Sequence, residues 1–235
     1  MIRLDKYLCD LGKATRREVK RIIRDGRVCV DGLTVTAPET KIDPLVASVS
    51  LDGETLVWAK HHYYMMNKPA GVLTATEDRQ QKTVLDLLPE ELRRMGLFPV
   101  GRLDRDTRGL LLLTDDGEFA HRVISPKFAV EKLYDATVEG TPDEADVSAF
   151  SEGLVLGDGT TCRPARLVVL GEGRCLVAVT EGKYHQVKRM LASRGKPVTA
   201  LKRLSIGALR LPEELEEGAV AELHEEDLCR VFMVR

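Results

Sequence analysis

The chain has 235 residues, 43% of them hydrophobic and 31% charged, which gives enough apolar material for one large domain or two smaller ones. The apolar runs are only four or five residues long and the opening MIRLDKYLCD is charged at once, so neither a membrane span nor a signal peptide is expected. Five scattered cysteines without a C-x-x-C pair argue against a disulfide framework and a structural zinc, and predict reduced thiols in a cytoplasmic protein.

The net charge of −2 hides two basic zones. Residues 1–30 hold nine Lys/Arg against four acids, and residues 182–210 hold eight with no acid. The last 25 residues hold eight acids and two Arg, which masks both zones in the total. Basic zones of this kind suit a polyanion such as RNA, although a single basic helix is more often a solvated face.

Along the first sixty residues, Leu4, Tyr7, Leu8 and Leu11 recur at helical spacing up to Gly12. Thr15 followed by Glu18 is a capping-box pattern and predicts a second helix, with Val19, Ile22 and Ile23 inward and Arg16, Arg17, Lys20, Arg21 and Arg24 elsewhere. Val28 and Val30 alternate before Asp31-Gly32, a hairpin turn signal. A unit over residues 1–59 follows, with 59–62 as a linker and a second domain over 60–235. From Tyr63 the chain reads as a strand, a Lys-Pro turn and another strand (YYMMNKPAGVLT), then a helix (VLDLLPEELRRMG) and a strand leading to Asp104 (LFPVGRLD). GLLLLT is a buried strand, DGEFAHRVIS a helix, VEKLYDATVEG an alternating strand, and DVSAFSEGL a short helix. ARLVVLGEGRCLVAVTEG is a hairpin and YHQVKRMLASRG a helix. The mixture predicts an α+β fold on a mixed, largely antiparallel sheet with flanking helices.

Chemistry concentrates in GRLDRDTRGLLLLTDDG, residues 101–117, with four aspartates. Asp115 and Asp116 precede Gly117 and a helix, the place of a turn residue and an N-cap. Asp104 and Asp106 resemble a D-x-D metal pair, but Arg102, Arg105 and Arg108 crowd them and no further ligand cluster accompanies them, so no metal is expected. A lone carboxylate among arginines stays ionised and suits a nucleophile or charge stabiliser, here at a strand end. Asp106 reads as a loop-stabilising partner for a nearby Arg.

RLDKYL at 3–8, TRREVKRII at 15–23 and GRVCVDG at 26–32 resemble the S4 RNA-binding domain. GRLDRDTRGLLLLTDDG resembles the catalytic signature of pseudouridine synthases, in the branch that modifies ribosomal RNA and carries an N-terminal S4 domain. MNKPAGV at 66–72, EKLY at 131–134, EGKYHQVKRMLASRG at 181–195 and KRLSIGALRL at 202–211 agree in order, so the resemblance spans the chain. YHQVKRM and SPKFAVEKLY are most similar to the small-subunit (16S) enzyme; large-subunit relatives usually carry Asn-Arg where this chain has Tyr184-His185.

The resemblance implies isomerisation of a uridine in ribosomal RNA or a ribosomal subunit precursor, without cofactor or metal. It implies Asp104 as the catalytic carboxylate, attacking the ribose or removing a proton, Tyr134 against the uracil, and Lys188 paired with Asp104. Arg102 and Arg105 would hold phosphates or the flipped nucleotide. Lys68, His185 and Arg189 join them as RNA contacts, with Arg3, Arg16, Arg17, Lys20, Arg21 and Arg27 in the S4-like unit. A monomer is expected. A 23S-directed synthase, a non-catalytic S4 assembly factor and a metal-dependent nuclease built on Asp104 and Asp106 are the alternatives.

Overall fold

The computed structural model describes residues 1–233; the last two residues of the expected second domain, 234 and 235, lie outside the described residues. The chain forms two compact units, one of residues 1–62 with 88–97, the other of residues 63–87 with 98–235.

In the first unit, β1 (Ile2–Arg3) runs into α1 (Leu4–Asp10), followed by α2 (Arg16–Arg24). Thr15 caps α2 as its spacing predicted: the Thr15 side chain accepts the Glu18 N–H and the Glu18 carboxylate accepts the Thr15 N–H. Leu4, Tyr7 and Leu8 of α1 meet Val19 and Ile23 of α2 in a closed core. That core lies against a four-stranded sheet of β2 (Val28–Val30), β3 (Leu33–Thr34), β5 (Val49–Leu51) and β6 (Glu54–Leu56), while β4 (Lys41–Ile42) pairs with β1. Both hairpins of the sheet turn on an Asp-Gly pair with positive φ, at Asp31-Gly32 and Asp52-Gly53, the geometry a two-residue I′ turn requires. A short helix from later in the chain, α3 (Glu90–Arg94), belongs to this unit, and its Glu91 pairs with Lys13 at 2.9 Å.

The second unit is built on β7 (Tyr63–Lys68), β8 (Phe98–Pro99), β9 (Arg108–Thr114), β10 (Lys132–Val138), β11 (Arg166–Gly171), β12 (Arg174–Val179), β13 (Val198–Ile206), β14 (Leu209–Arg210) and β15 (Val220–Glu222). The sheet order is β11-β12-β10-β13-β9-β7-β15, with β8 on β9 and β14 on β13. Among the strand pairs of the described residues only β13–β9 is parallel, which gives the mixed, largely antiparallel sheet that the pattern predicted. The helices are α4 (Gly117–Ile124), α5 (Glu144–Glu152), α6 (Gln186–Ser193) and α7 (Glu225–Val231). Leu110–Leu113 of β9 are each at most 1% exposed, so both faces of this strand are covered. Burying each such side chain contributes roughly 2 kcal/mol. Asp116 caps α4 as expected, with Oδ1 accepting the N–H groups of Glu118 and Phe119, and its Oδ2 also accepts the Tyr63 hydroxyl at 2.7 Å.

Three expected elements differ. The helix expected over 84–96 is broken at Leu88-Pro89 into a 3-10 turn, Leu85–Leu87, and the five-residue α3. The strand after Lys68-Pro69 is reduced to a single bridge, Leu73 with Thr83, because the segment is spent on holding the loop before β9. The strand leading to Asp104 ends at Pro99, five residues short of it, and β9 begins only at Arg108. Asp104 therefore sits in a loop, not at a strand end.

The parallel join of β9 and β13 leaves no room at Gly109: its φ is +101°, and an added Cβ would fall 2.2 Å from the Arg203 carbonyl oxygen. Gly109→Ala is expected to lower stability by about 3 kcal/mol or more, through strain and displacement together. Gly32→Ala, at φ +79° with open space around it, should cost only about 1–2 kcal/mol. Denaturant titration checks the contrast; equal costs would mean that the close approach at Gly109 does not matter.

Candidate active site

The loop before β9 is held by backbone contacts, with a buried lysine at their centre. Lys68 ends β7 and is fully buried. Its Nζ donates to the carbonyl oxygens of Pro69 (3.1 Å), Asp104 (3.1 Å), Arg105 (3.2 Å) and Thr107 (2.9 Å). Thr74 adds a reciprocal pair, its hydroxyl donating to Leu103 O at 2.8 Å and accepting the Leu103 N–H at 3.2 Å. The Gly71 N–H donates to Arg105 O at 2.7 Å. Asp104 is thus fixed through its own main chain. Burial is the main force on the Lys68 ammonium and lowers its pKa to about 8, against the raising pull of Asp106 and Asp104. The expectation that Lys68 contacts RNA is corrected: its donors are committed inside the protein and no face of it meets solvent.

The Asp104 carboxylate, about one quarter exposed, faces α6. Its Oδ2 lies 3.1 Å from Lys188 Nζ, and its Oδ1 3.4 Å from His185 Nε2. Lys188 also reaches Asp106 Oδ1 at 2.5 Å, so one ammonium bridges both aspartates. Asp106 accordingly pairs with Lys188 and not with an arginine, and its pKa is lowered chiefly by that hydrogen bond. Burial works against the Lys188 charge, but its bonds to Asp106 and Asp104 outweigh it and raise its pKa above the ordinary lysine value. His185 precedes α6 with φ +47°, a backbone placement rare for a non-glycine residue, and that places its ring beside Asp104.

An open cavity of about 950 Å³ adjoins this group, lined among others by Arg102, Asp104, Arg105, Tyr134, Tyr184 and His185. The volume suits a nucleotide-sized ligand. Tyr134, on β10, is half-buried and accepts a long hydrogen bond (3.4 Å) from Arg203 Nη1. The fold therefore gathers Asp104, Tyr134, Lys188, Arg102, Arg105 and His185 in one place. Arg189 is turned to an ion pair with Asp158 at 2.5 Å. In the first unit, Arg3, Arg16 and Lys20 line a groove of about 400 Å³, while Arg17, Arg21 and Arg27 are exposed outside its lining. Arg27 is forked onto Asp52. Sequence reasoning missed Lys132 and Arg203, both buried in the cavity wall. The alternation of VEKLYDATVEG held the signal for Lys132, since it stands two residues before Tyr134 on one strand face.

Fold and site together define a protein of two compact units, one with a basic groove and one with a carboxylate–lysine cluster beside a nucleotide-sized cavity. The family model for RNA pseudouridylate synthase matches residues 62–193, and that for the S4 domain matches residues 2–44. A ribosomal small subunit pseudouridine synthase A of Vibrio cholerae is 40% identical over 98% of this chain and 100% of its own. An RNA pseudouridine synthase of Bacillus subtilis is 42% identical over 97% of each chain. A crystal structure of a pseudouridylate synthase aligns at a TM-score of 0.69 with 35% identity, covering 98% of this chain and 100% of that one. The chain belongs to the S4-domain-containing RNA pseudouridine synthase family and is a pseudouridine synthase.

The internal role of Lys68 is testable. Lys68→Met leaves four carbonyls, three of them in the Asp104 loop, without their shared donor, and a displacement of Asp104 by about 1 Å is expected to lower kcat about 10²-fold. RNA affinity should stay within about twofold, because no phosphate contact is lost. Filter binding and single-turnover kinetics separate the two; weakened binding with unchanged kcat would restore the RNA-contact reading.

Proposed function

We propose that this chain converts a uridine of small-subunit ribosomal RNA to pseudouridine, with Asp104 as the reacting carboxylate. The observation that carries the reading is the ammonium of Lys188 set between Asp104 and Asp106, which holds the Asp104 carboxylate in the cavity wall. A target uridine is flipped out of its RNA at a cost of about a few kcal/mol, and its uracil lies against Tyr134. The C1′–N1 bond breaks, the ring turns in place, and C1′–C5 forms. The C5 proton is lost and N1 gains one, so substrate and product are isomers. Asp104 either bonds to C1′ or takes a ribose proton; its placement serves both.

Arg102 and Arg105, exposed at the cavity mouth, suit the flanking phosphates. In the first unit, Arg3, Arg16 and Lys20 with the exposed Arg17, Arg21 and Arg27 form the RNA grip. The small-subunit choice is supported by Tyr184-His185 at the start of α6 and by small-subunit synthases of Vibrio cholerae and Salmonella typhimurium at 40% and 38% identity. A large-subunit target is the second reading.

Asp104→Asn is expected to lower product formation by about 10³-fold or more, with RNA affinity within about threefold. A non-catalytic S4 factor predicts no change, and a metal-dependent nuclease predicts activity that EDTA abolishes. Pseudouridine mapping of both ribosomal RNAs in a deletion strain should show one unmodified uridine in the small-subunit RNA. A mark missing from the large-subunit RNA alone overturns that choice.

A further inference from the structure

Two buried cations stand beside Tyr134 and have no part in the mechanism so far. Lys132 and Tyr134 are two residues apart on β10, so their side chains share one sheet face. Arg203 is the cross-strand partner of Tyr134 on β13 and shares that face. All three line the cavity that Asp104 also lines, with Lys132 at 7% and Arg203 at 4% exposure.

Neither cation has an acidic partner among the described residues. Lys132 Nζ donates to Val123 O at 3.0 Å, in the last turn of α4. Arg203 gives Nε to Leu110 O at 2.7 Å and Nη1 to the Tyr134 hydroxyl, and its buried Nη2 has no hydrogen-bond partner. Glu181, in the same cavity wall, is committed elsewhere: its Oε1 accepts the Arg163 N–H and Gln186 Nε2. Burial first, and then the neighbouring Arg203, push the Lys132 pKa down to about 8. Placing two like charges here is costly unless something brings negative charge to them.

We propose that Lys132 and Arg203 receive the negative charge that uracil takes up when its glycosidic bond breaks. This rests on the assignment of Asp104 and Tyr134 above. The bonding pair leaves C1′ with N1 and spreads over the ring onto O2 and O4. C1′ is compensated through Asp104, by a C–O bond or by loss of a ribose proton to its carboxylate. The ring carries the charge until C5 bonds to C1′, which breaks the C1′–O bond to Asp104 or is matched by return of the ribose proton from its carboxylate; C5 then releases its proton and N1 takes one up. Fixed cations stabilise the detached ring more than the neutral uridine, so they accelerate the cleavage and do not merely tighten binding. A backbone phosphodiester is the rival anion. The shared face with Tyr134 favours the ring, because a base lying against that tyrosine is the group brought next to both cations.

Lys132→Gln retains a donor for Val123 O and drops the charge. On a small-subunit RNA transcript its single-turnover rate should fall about 10²-fold with Kd within about threefold. On the same transcript made with 5-fluorouridine, whose ring is the more acidic leaving group but has no C5 proton to release, the rate read is that of C1′–N1 cleavage, and the loss should shrink at least about threefold. Arg203→Gln should behave alike. A weaker Kd with unchanged rate and a flatter salt dependence assigns the cations to a phosphodiester and overturns the proposal. An equal rate loss on both transcripts leaves only a structural role and overturns it too. If neither variant folds, the wild-type enzyme decides: its own gain on 5-fluorouridine should stay under about threefold, and a gain above about tenfold sinks the idea. Failure of the underlying site is read separately, from activity surviving in Asp104→Asn.

Discussion

A single buried ammonium organises the catalytic half of this protein. Lys68 reaches from the end of β7 to four carbonyl oxygens, three of them in the loop that carries Asp104. Carbonyls in a tight loop ahead of a buried strand need donors, and a lysine with three N–H groups supplies them from one point. The covered strands β7 and β9, paired along Tyr63–Lys68, fix where that point lies. The position of the Asp104 carboxylate thus follows from main-chain satisfaction and needs no strand of its own.

Around that fixed loop the charges fall into two groups with different tasks. Lys188 sits between Asp104 and Asp106, so that one ammonium faces two carboxylates. On the sheet side of the cavity, Lys132 and Arg203 are cations without acidic partners among the described residues, one leaning on a carbonyl of the last turn of α4 and the other on a backbone carbonyl of β9. Neutralised charge aims the carboxylate, and uncompensated charge is held in reserve for the reacting ring.

How much of this could be read in advance depended on the range of the interaction. The Thr15–Glu18 box, the Asp31-Gly32 turn and the Asp116 cap are local, and each is where its spacing placed it. The buried Leu110–Leu113 strand follows from its unbroken apolar run. Lys68 was misread because its partners lie up to 39 residues away and a Lys-Pro pair looks locally like a turn. Asp106 was assigned to an arginine close in sequence, although its partner is Lys188, 82 residues on. Arg203 carried no local mark, because its burial depends on the parallel meeting of β13 with β9. Pairings across a sheet are written in topology, and one-dimensional spacing does not record them.

The helix Glu90–Arg94 carries a consequence for how this architecture can be taken apart. It packs with residues 1–62, where Gly12 comes so close to the Glu91 carbonyl that a Cβ would stand 2.4 Å from it. The RNA-binding module is therefore discontinuous in the gene. A chimera spliced at one junction after residue 62 would carry the module away without the helix that closes against its Gly12 turn. Grafting it whole onto another enzyme requires two donor segments, and the recipient chain must leave and re-enter the module to hold them.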